Sequence, residues 1–151
     1  MKTIELNKEN KANIDAITQP LDKKQLREFY NCGDVFVSTS MAEGFGLPGL
    51  EAMACGKPNI QTNFGGQMEY CNSENCFLID EGAMVKVKDD VQYEEVKWFK
   101  PSISAIRKQL RWIFEHQKQV TLMKEACLNT AKQFTWTNTG KIATKTLGEL
   151  E

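Results

Sequence analysis

The 151-residue sequence predicts an α/β protein with a mainly parallel sheet followed by C-terminal helices. Its first half alternates short β-branched or aromatic runs with helical patterns, an order typical of βα units. Its final third repeats apolar residues at helical spacing, beginning with Ile103, Ile106 and Leu110. Hydrophobic residues make up 41% of the chain and charged residues 26%, which are values close to those of globular proteins. A chain of this length and composition can bury a hydrophobic core.

The predicted elements follow one another in a regular order. Residues 13–17 are a candidate first strand. A helix begins after Asp22, which can cap it, with Gln25 at the third helical position. Gly33 marks the end of that helix, and residues 34–38 have the β-branched and aromatic content of a buried strand.

A second helix, two further strands and a group of helices complete the prediction. Pro48 suits the first turn of the second helix, because N–H groups there have no intrahelical partner. Ser102 is placed to cap the first of the later helices, and residues 81–100 show no clear period. The remaining predicted elements are strands at 58–62 and 76–80 and helices at 103–114, 120–134 and 138–150.

Charge and composition exclude several classes of protein. Lys and Arg total 19 and Asp and Glu total 20, and the net charge of −1 argues against a nucleic-acid binder. Residues 1–8 carry charges where a secretory signal needs an apolar stretch, and no apolar run approaches the roughly 18 residues of a membrane span. We therefore expect a cytoplasmic protein. The five cysteines form no CxxC pair and His116 is the only histidine, so neither a zinc site nor a disulfide framework is expected.

The residues with the clearest chemical meaning lie within 42–58. Gly44 and Gly46 belong to a loop that runs from a strand into a helix N-terminus, where unpaired N–H groups and the helix dipole favour an anion such as phosphate. Glu43 lies on the loop and Glu51 about one turn into the helix, so both carboxylates can border one ligand. Carboxylates accept hydrogen bonds from paired hydroxyls, as in a sugar or a ribose. The combination predicts a nucleotide sugar as the ligand.

This segment resembles the E-x7-E signature of the retaining GT-B glycosyltransferases of group 1, or family 4, with Glu43 and Glu51 as its two glutamates. The resemblance is dense over residues 26–80 and loose to about residue 136. It implies an incomplete Rossmann-like domain, namely a partial C-terminal donor-binding domain over residues 1–151. It also implies transfer of a sugar from a nucleotide diphosphate sugar to a glycan, lipid or protein acceptor, with no metal or other cofactor.

The resemblance further implies roles for individual residues. Glu43 is the implied catalytic residue, in contact with the hydroxyls of the transferred sugar, and Glu51 holds the ribose. The implied donor-binding residues are Gly44, Phe45, Gly46, Leu47, Glu51, Gly65 and Gly66. Among them, the N–H groups of residues 45–47 meet the diphosphate or the sugar, and residues 65–66 form a second loop that closely approaches the donor.

The sequence departs from the family pattern on its N-terminal side. The glycine-rich turn and Arg/Lys pair of the family's first two βα units are not present, and the N-terminal acceptor domain is expected to be absent. In a sheet of order 3-2-1-4-5-6, the missing strands would leave a gap between residues 13–17 and 34–38. Either these two strands pair directly, or self-association covers the exposed edges.

Two other functions are alternatives to sugar transfer. A non-catalytic fragment, or a nucleotide-binding module that has lost turnover, would keep the fold without an acceptor site. A Rossmann dehydrogenase is disfavoured because no G-x-G-x-x-G motif follows a strand. The acidic pairs Asp80–Glu81 and Asp89–Asp90 are interpreted as solvated charges and not as metal ligands.

Overall fold

A three-stranded parallel sheet lies at the centre of the computed structural model, which describes residues 15–86 and 96–149. Its strands are, in spatial order, β1 (Phe36–Ser38), β2 (Asn59–Thr62) and β3 (Cys76–Ile79). Both neighbouring pairs are parallel, as expected where each connection crosses over the sheet. The predicted α/β class with a parallel sheet is therefore confirmed.

Helix α1 (Lys23–Cys32) precedes the sheet and begins at the predicted capping box. The Gln25 N–H donates to the Asp22 carboxylate at 2.8 Å, and the Asp22 N–H donates to Gln25 Oε1 at 3.0 Å. These bonds satisfy two N–H groups that a helix start would otherwise leave unpaired. The helix ends before Gly33, as predicted.

Helix α2 (Leu47–Ala54) connects β1 to β2 and carries Glu51. Pro48 lies in its first turn, where the missing N–H costs no intrahelical bond. Leu50 and Met53 lie on its buried face, and Glu51 is exposed. The spacing of apolar residues on α2 thus buries one side of the helix against the sheet. It leaves Glu51, the residue predicted to bind the ribose, accessible.

A hairpin and four helices follow the sheet. Strand β4 (Gly82–Lys86) pairs antiparallel with β5 (Lys97–Pro101), in the stretch where the sequence shows no clear period. The helices are α3 (Ile103–Glu115), α4 (Gln117–Leu122), α5 (Lys124–Gln133) and α6 (Trp136–Gly148). The helix predicted over 120–134 is divided at Met123, which ends α4 and precedes α5. In the described ranges, no helix is long and apolar enough to cross a membrane.

Two clusters of buried side chains hold these helices on the sheet. Successive residues of β2 point to opposite faces, so Ile60 faces one cluster, and Asn59 and Gln61 point towards α2. The cluster on the α2 side contains Leu50, Met53, Tyr70, Cys71, Cys76 and Cys127. The other contains Ile60, Ile79, Ala105, Ile113 and Val120. Helices therefore cover both faces of the sheet.

The strand predicted at 13–17 is not found in the described part of the chain. Residues 15–17 form no strand, and residues 13–14 lie outside the described residues. Residues 15–17 therefore do not pair with β1. Such direct pairing is one of the two predicted arrangements of the sheet. The apolar content of the segment favours a strand, but a strand also needs a partner for its backbone hydrogen bonds.

Candidate functional site

The loop between β1 and α2 brings three N–H groups to the helix N-terminus. The N–H groups of residues 45–47 donate to no described residue, and Pro48 has no N–H. The first bonds of the helix come from Gly49 and Leu50, whose N–H groups donate to the Gly46 carbonyl at 3.0 and 3.4 Å. Unpaired donors at the positive end of a helix dipole can bind an anion. The geometry therefore suits the phosphate position predicted for residues 45–47.

Gly46 gives this loop its shape. Its φ is +82°, a left-handed conformation that glycine adopts without a Cβ penalty. The buried Tyr70 hydroxyl donates to the Gly46 carbonyl at 2.6 Å and accepts from Gln61 Nε2 at 3.3 Å. Burial raises the pKa of Tyr70 to about 12, so its phenol is protonated and able to donate at neutral pH. Tyr70 thus fixes the peptide from which α2 begins.

An aromatic cluster joins the same loop to the end of α5. The Phe45 ring lies 5.6 Å from the Tyr70 ring and 6.0 Å from the Phe134 ring, measured between centroids. The Tyr70 and Phe134 rings are 6.1 Å apart in an edge-on arrangement. Distances and angles of this kind are favourable for aromatic pairs. The loop is consequently held by side chains from two distant parts of the sequence.

The two predicted glycine loops are in contact. The Gly66 N–H donates to the Glu43 carbonyl at 2.9 Å. A Cβ on Gly66 would overlap the Gly44 carbonyl, and a Cβ on Gly65 would lie 2.9 Å from the Glu43 carbonyl oxygen. The structure therefore brings together the residues that the sequence analysis predicted as two separate close-approach loops.

Buried amides that the sequence pattern did not predict support these loops. Gln67 Nε2 donates to the carbonyls of Thr62 and Phe64, at 2.9 and 2.6 Å. Asn59 Nδ2 donates to the Gly49 carbonyl at 2.9 Å. Polar residues at alternate positions of a strand normally indicate its solvent-facing side. Asn59 and Gln61 alternate in this way on β2, but both side chains are buried. Asn59 thus holds α2 close to the sheet, and Gln67 holds the second loop at the end of β2.

The two glutamates differ in their surroundings. Glu43 is half-buried, and its Oε1 accepts from the Gly44 N–H at 3.1 Å. Glu51 is exposed, and its Oε2 accepts from the Tyr30 hydroxyl at 3.0 Å. Burial, followed by the bond to Glu51, raises the pKa of Tyr30. The free N–H groups of residues 45–47 lie in the chain between these carboxylates. Oε2 of Glu43 and Oε1 of Glu51 accept no hydrogen bond from a described residue, so each carboxylate keeps an oxygen that can accept from ligand hydroxyls.

Acidic side chains elsewhere do not converge. Within residues 15–86 and 96–149, no group of three or more His, Cys, Asp or Glu side chains could hold a metal. Asp80 and Glu81 are exposed; Asp80 accepts from the Asn63 amide, and Glu81 lies 3.9 Å from Lys108 Nζ. Asp89–Asp90 lies outside the described residues. The chemistry offered by the described site is therefore backbone donors for an anion and carboxylates for hydroxyls.

Comparisons with known sequences give matches over more than half of the chain. Residues 1–97 match the family model described as glycosyl transferases group 1. The D-inositol 3-phosphate glycosyltransferase of Paenarthrobacter aurescens is 33% identical over 91 residues, which are 54% of this chain and 22% of that protein. The chain spans less than a quarter of the length of the first curated relatives it matches.

Solved structures share the fold. HepE from Anabaena, in complex with UDP, matches with a TM-score of 0.59 at 22% identity, over 81% of this chain and 29% of that one. The C-terminal domain of the group 1 glycosyl transferase LpcC from Francisella tularensis matches with a TM-score of 0.58 at 23% identity, over 78% of this chain and 51% of that one. At these identities the likeness shows a common α/β fold.

Proposed function

Because this chain belongs to the group 1 glycosyltransferases and has their GT-B type of fold, we propose that its β1–α2 loop binds the nucleotide diphosphate sugar of a retaining sugar transfer. One observation carries the proposal. The three unpaired N–H groups of residues 45–47 lie at a helix N-terminus, with Glu43 before them and Glu51 one turn after them. That arrangement matches the order of sugar, diphosphate and ribose in such a donor.

Each part of the site has a role in this proposal. The N–H groups of residues 45–47 bind the diphosphate and stabilise its charge as it departs. Glu51 accepts hydrogen bonds from the ribose, and Glu43 from the transferred sugar. Gly65 and Gly66 let the second loop approach the donor, as does Gly44 in the first. We also propose that binding needs no metal and that the protein is cytoplasmic. The proposed acceptor is a glycan, a lipid or a protein, and residues 1–151 are proposed to belong to a donor-binding domain.

Substituting the two glutamates tests this division of roles. UDP is the first probe because HepE is bound to UDP, and GDP and ADP are included. Glu51→Ala should weaken UDP and UDP-glucose similarly, by about 1.5–3 kcal/mol or about 10- to 100-fold, because both carry the ribose. Glu43→Ala should leave UDP binding nearly unchanged and weaken the intact donor. Calorimetric titration of both variants, with EDTA present to test metal independence, makes the comparison.

Glu74→Ala serves as the matched control, because Glu74 is exposed and its carboxylate forms no hydrogen bond or ion pair with a described residue. It should titrate like the unmodified chain. Equal weakening of UDP by Glu43→Ala and Glu51→Ala would contradict the division of roles. Failure of the unmodified chain to bind any nucleoside diphosphate would contradict the proposed function itself.

The outer edge of β1 is a candidate surface for self-association. In the described part of the chain, β1 pairs only with β2, on its other side. A cavity of about 510 Å³ borders β1, lined in part by Phe29, Val35 and Val37. Phe29 and Val37 are 47% and 42% exposed. An apolar strand edge with unpaired backbone groups favours pairing with another chain.

We therefore expect the apparent mass measured by light scattering to rise with protein concentration. Val37→Lys should suppress that rise, because a charge on an edge strand disfavours edge-to-edge pairing. Ile142→Lys is the control, since Ile142 is also exposed but lies on α6. A mass that stays monomeric at every concentration would refute self-association through this edge.

A further inference from the structure

A hydrogen bond links α1 to Glu51 on α2, the residue proposed to bind the ribose. The Tyr30 hydroxyl donates to Glu51 Oε2 at 3.0 Å, although the two residues are 21 positions apart. Among the described residues, this is the one hydrogen bond of the Glu51 carboxylate, so Oε1 has no partner there. Half of the carboxylate is held by the protein and half is available to a ligand.

The tyrosine is itself held in place. Its ring lies 6.0 Å from the Phe29 ring and 6.1 Å from the Phe36 ring, between centroids, and the side chain is half-buried. The raised pKa of Tyr30 keeps its phenol protonated, and therefore a donor, throughout the neutral range. Tyr30 thus joins β1, α1 and the Glu51 carboxylate.

This contact borders open space that a ligand can enter. Tyr30 and Glu51 line a cavity of about 580 Å³ between α1, α2 and α5, together with Leu26, Ala54 and Leu128. An exposed glutamate on a helix samples several rotamers, and ordering it on binding costs conformational entropy. A hydrogen bond that already exists in the free protein reduces that cost.

We propose that Tyr30 is a positioning residue for the donor nucleoside: it holds Glu51 by Oε2 and leaves Oε1 to accept hydrogen bonds from the ribose hydroxyls. This inference rests on the proposed function, because it assigns Glu51 to the ribose. Tyr30 itself touches no reacting atom. Its contribution is to the affinity for the ribose and to the discrimination between ribose and 2′-deoxyribose.

The test is a double-mutant cycle with UDP and 2′-deoxy-UDP as probes. The unmodified chain should prefer UDP. Tyr30→Phe keeps the ring and removes the hydroxyl, so it should weaken UDP about five-fold, as for a typical hydrogen bond, and lower the UDP preference. Tyr30→Phe combined with Glu51→Ala should bind UDP no more weakly than Glu51→Ala alone, because the hydroxyl would act only through that carboxylate.

A purely structural role for Tyr30 gives different results. It would weaken UDP and 2′-deoxy-UDP equally and would add to the effect of Glu51→Ala, and either outcome overturns the inference. Unchanged UDP binding by Tyr30→Phe overturns it as well, while the proposed function stands. If the unmodified chain binds no nucleoside diphosphate, the proposed function and this inference both fall. Glu28→Ala is the control on the same helix: Glu28 is exposed, lies 4.0 Å from Lys24 Nζ and does not line the cavity, so its loss should leave the UDP preference unchanged.

Discussion

Gly66→Ala is expected to lower the free energy of unfolding by about 1–3 kcal/mol and to weaken nucleotide binding. The new Cβ would overlap the Gly44 carbonyl and lie 2.9 Å from the Phe45 Cα. Both obstacles are backbone atoms, so no side-chain rotation can relieve the overlap. The two loops must separate, which stretches the bond from the Gly66 N–H to the Glu43 carbonyl and displaces the N–H groups of residues 45–47. Urea denaturation measures the first effect, and titration with UDP measures the second.

Gly44→Ala is the matched control in the facing loop. A Cβ on Gly44 meets no atom within 4 Å, so this substitution should leave the free energy of unfolding nearly unchanged. A Gly66→Ala chain as stable as Gly44→Ala would show that the loops do not touch in solution.

Met53→Ala should destabilise the chain by about 2–5 kcal/mol, the range for truncating a buried methionine. Met53 is fully buried in the cluster that also contains Leu50 of α2 and Cys127 of α5. The truncation removes apolar contacts and leaves a cavity where α2 packs against α5 and the sheet. Chemical denaturation compares the variant with the unmodified chain. Leu122→Ala, at a side chain that is 80% exposed, should change stability by less than about 0.5 kcal/mol, and a similar loss in both variants would contradict the described core.

Local signals in the sequence were sufficient for much of the fold. Asp22 and Gln25 form the predicted capping box, Pro48 lies in the first turn of α2, and Ser102 caps α3 by accepting from the Ala105 N–H at 3.1 Å. Each of these signals acts within four residues, so a single sequence contains the necessary information. The alternation of predicted strands and helices along the sequence predicted the parallel sheet.

Contacts between distant residues could not be predicted in this way. The bond from Tyr70 to Gly46 and the packing of Phe134 on Phe45 depend on the folded topology, which residue spacing does not encode. Residues 15–17 show a different error: the apolar residues of the predicted strand favoured that element, but residues 15–17 form no strand, because a strand also requires a partner. The roles assigned to Glu43 and Glu51 stay predictions until the titrations are made.

The packing of Phe45 against Phe134 has a consequence for the order of events during protein synthesis. The loop leaves the ribosome before the aromatic ring that completes its packing, because Phe134 lies 89 residues after Phe45. Native contacts between distant segments form only after the intervening chain has been made and its loop closed. The nascent chain therefore carries the glutamate motif well before the anion-binding loop has its final support. A ribosome stalled before residue 134 would display the motif without the fully supported site.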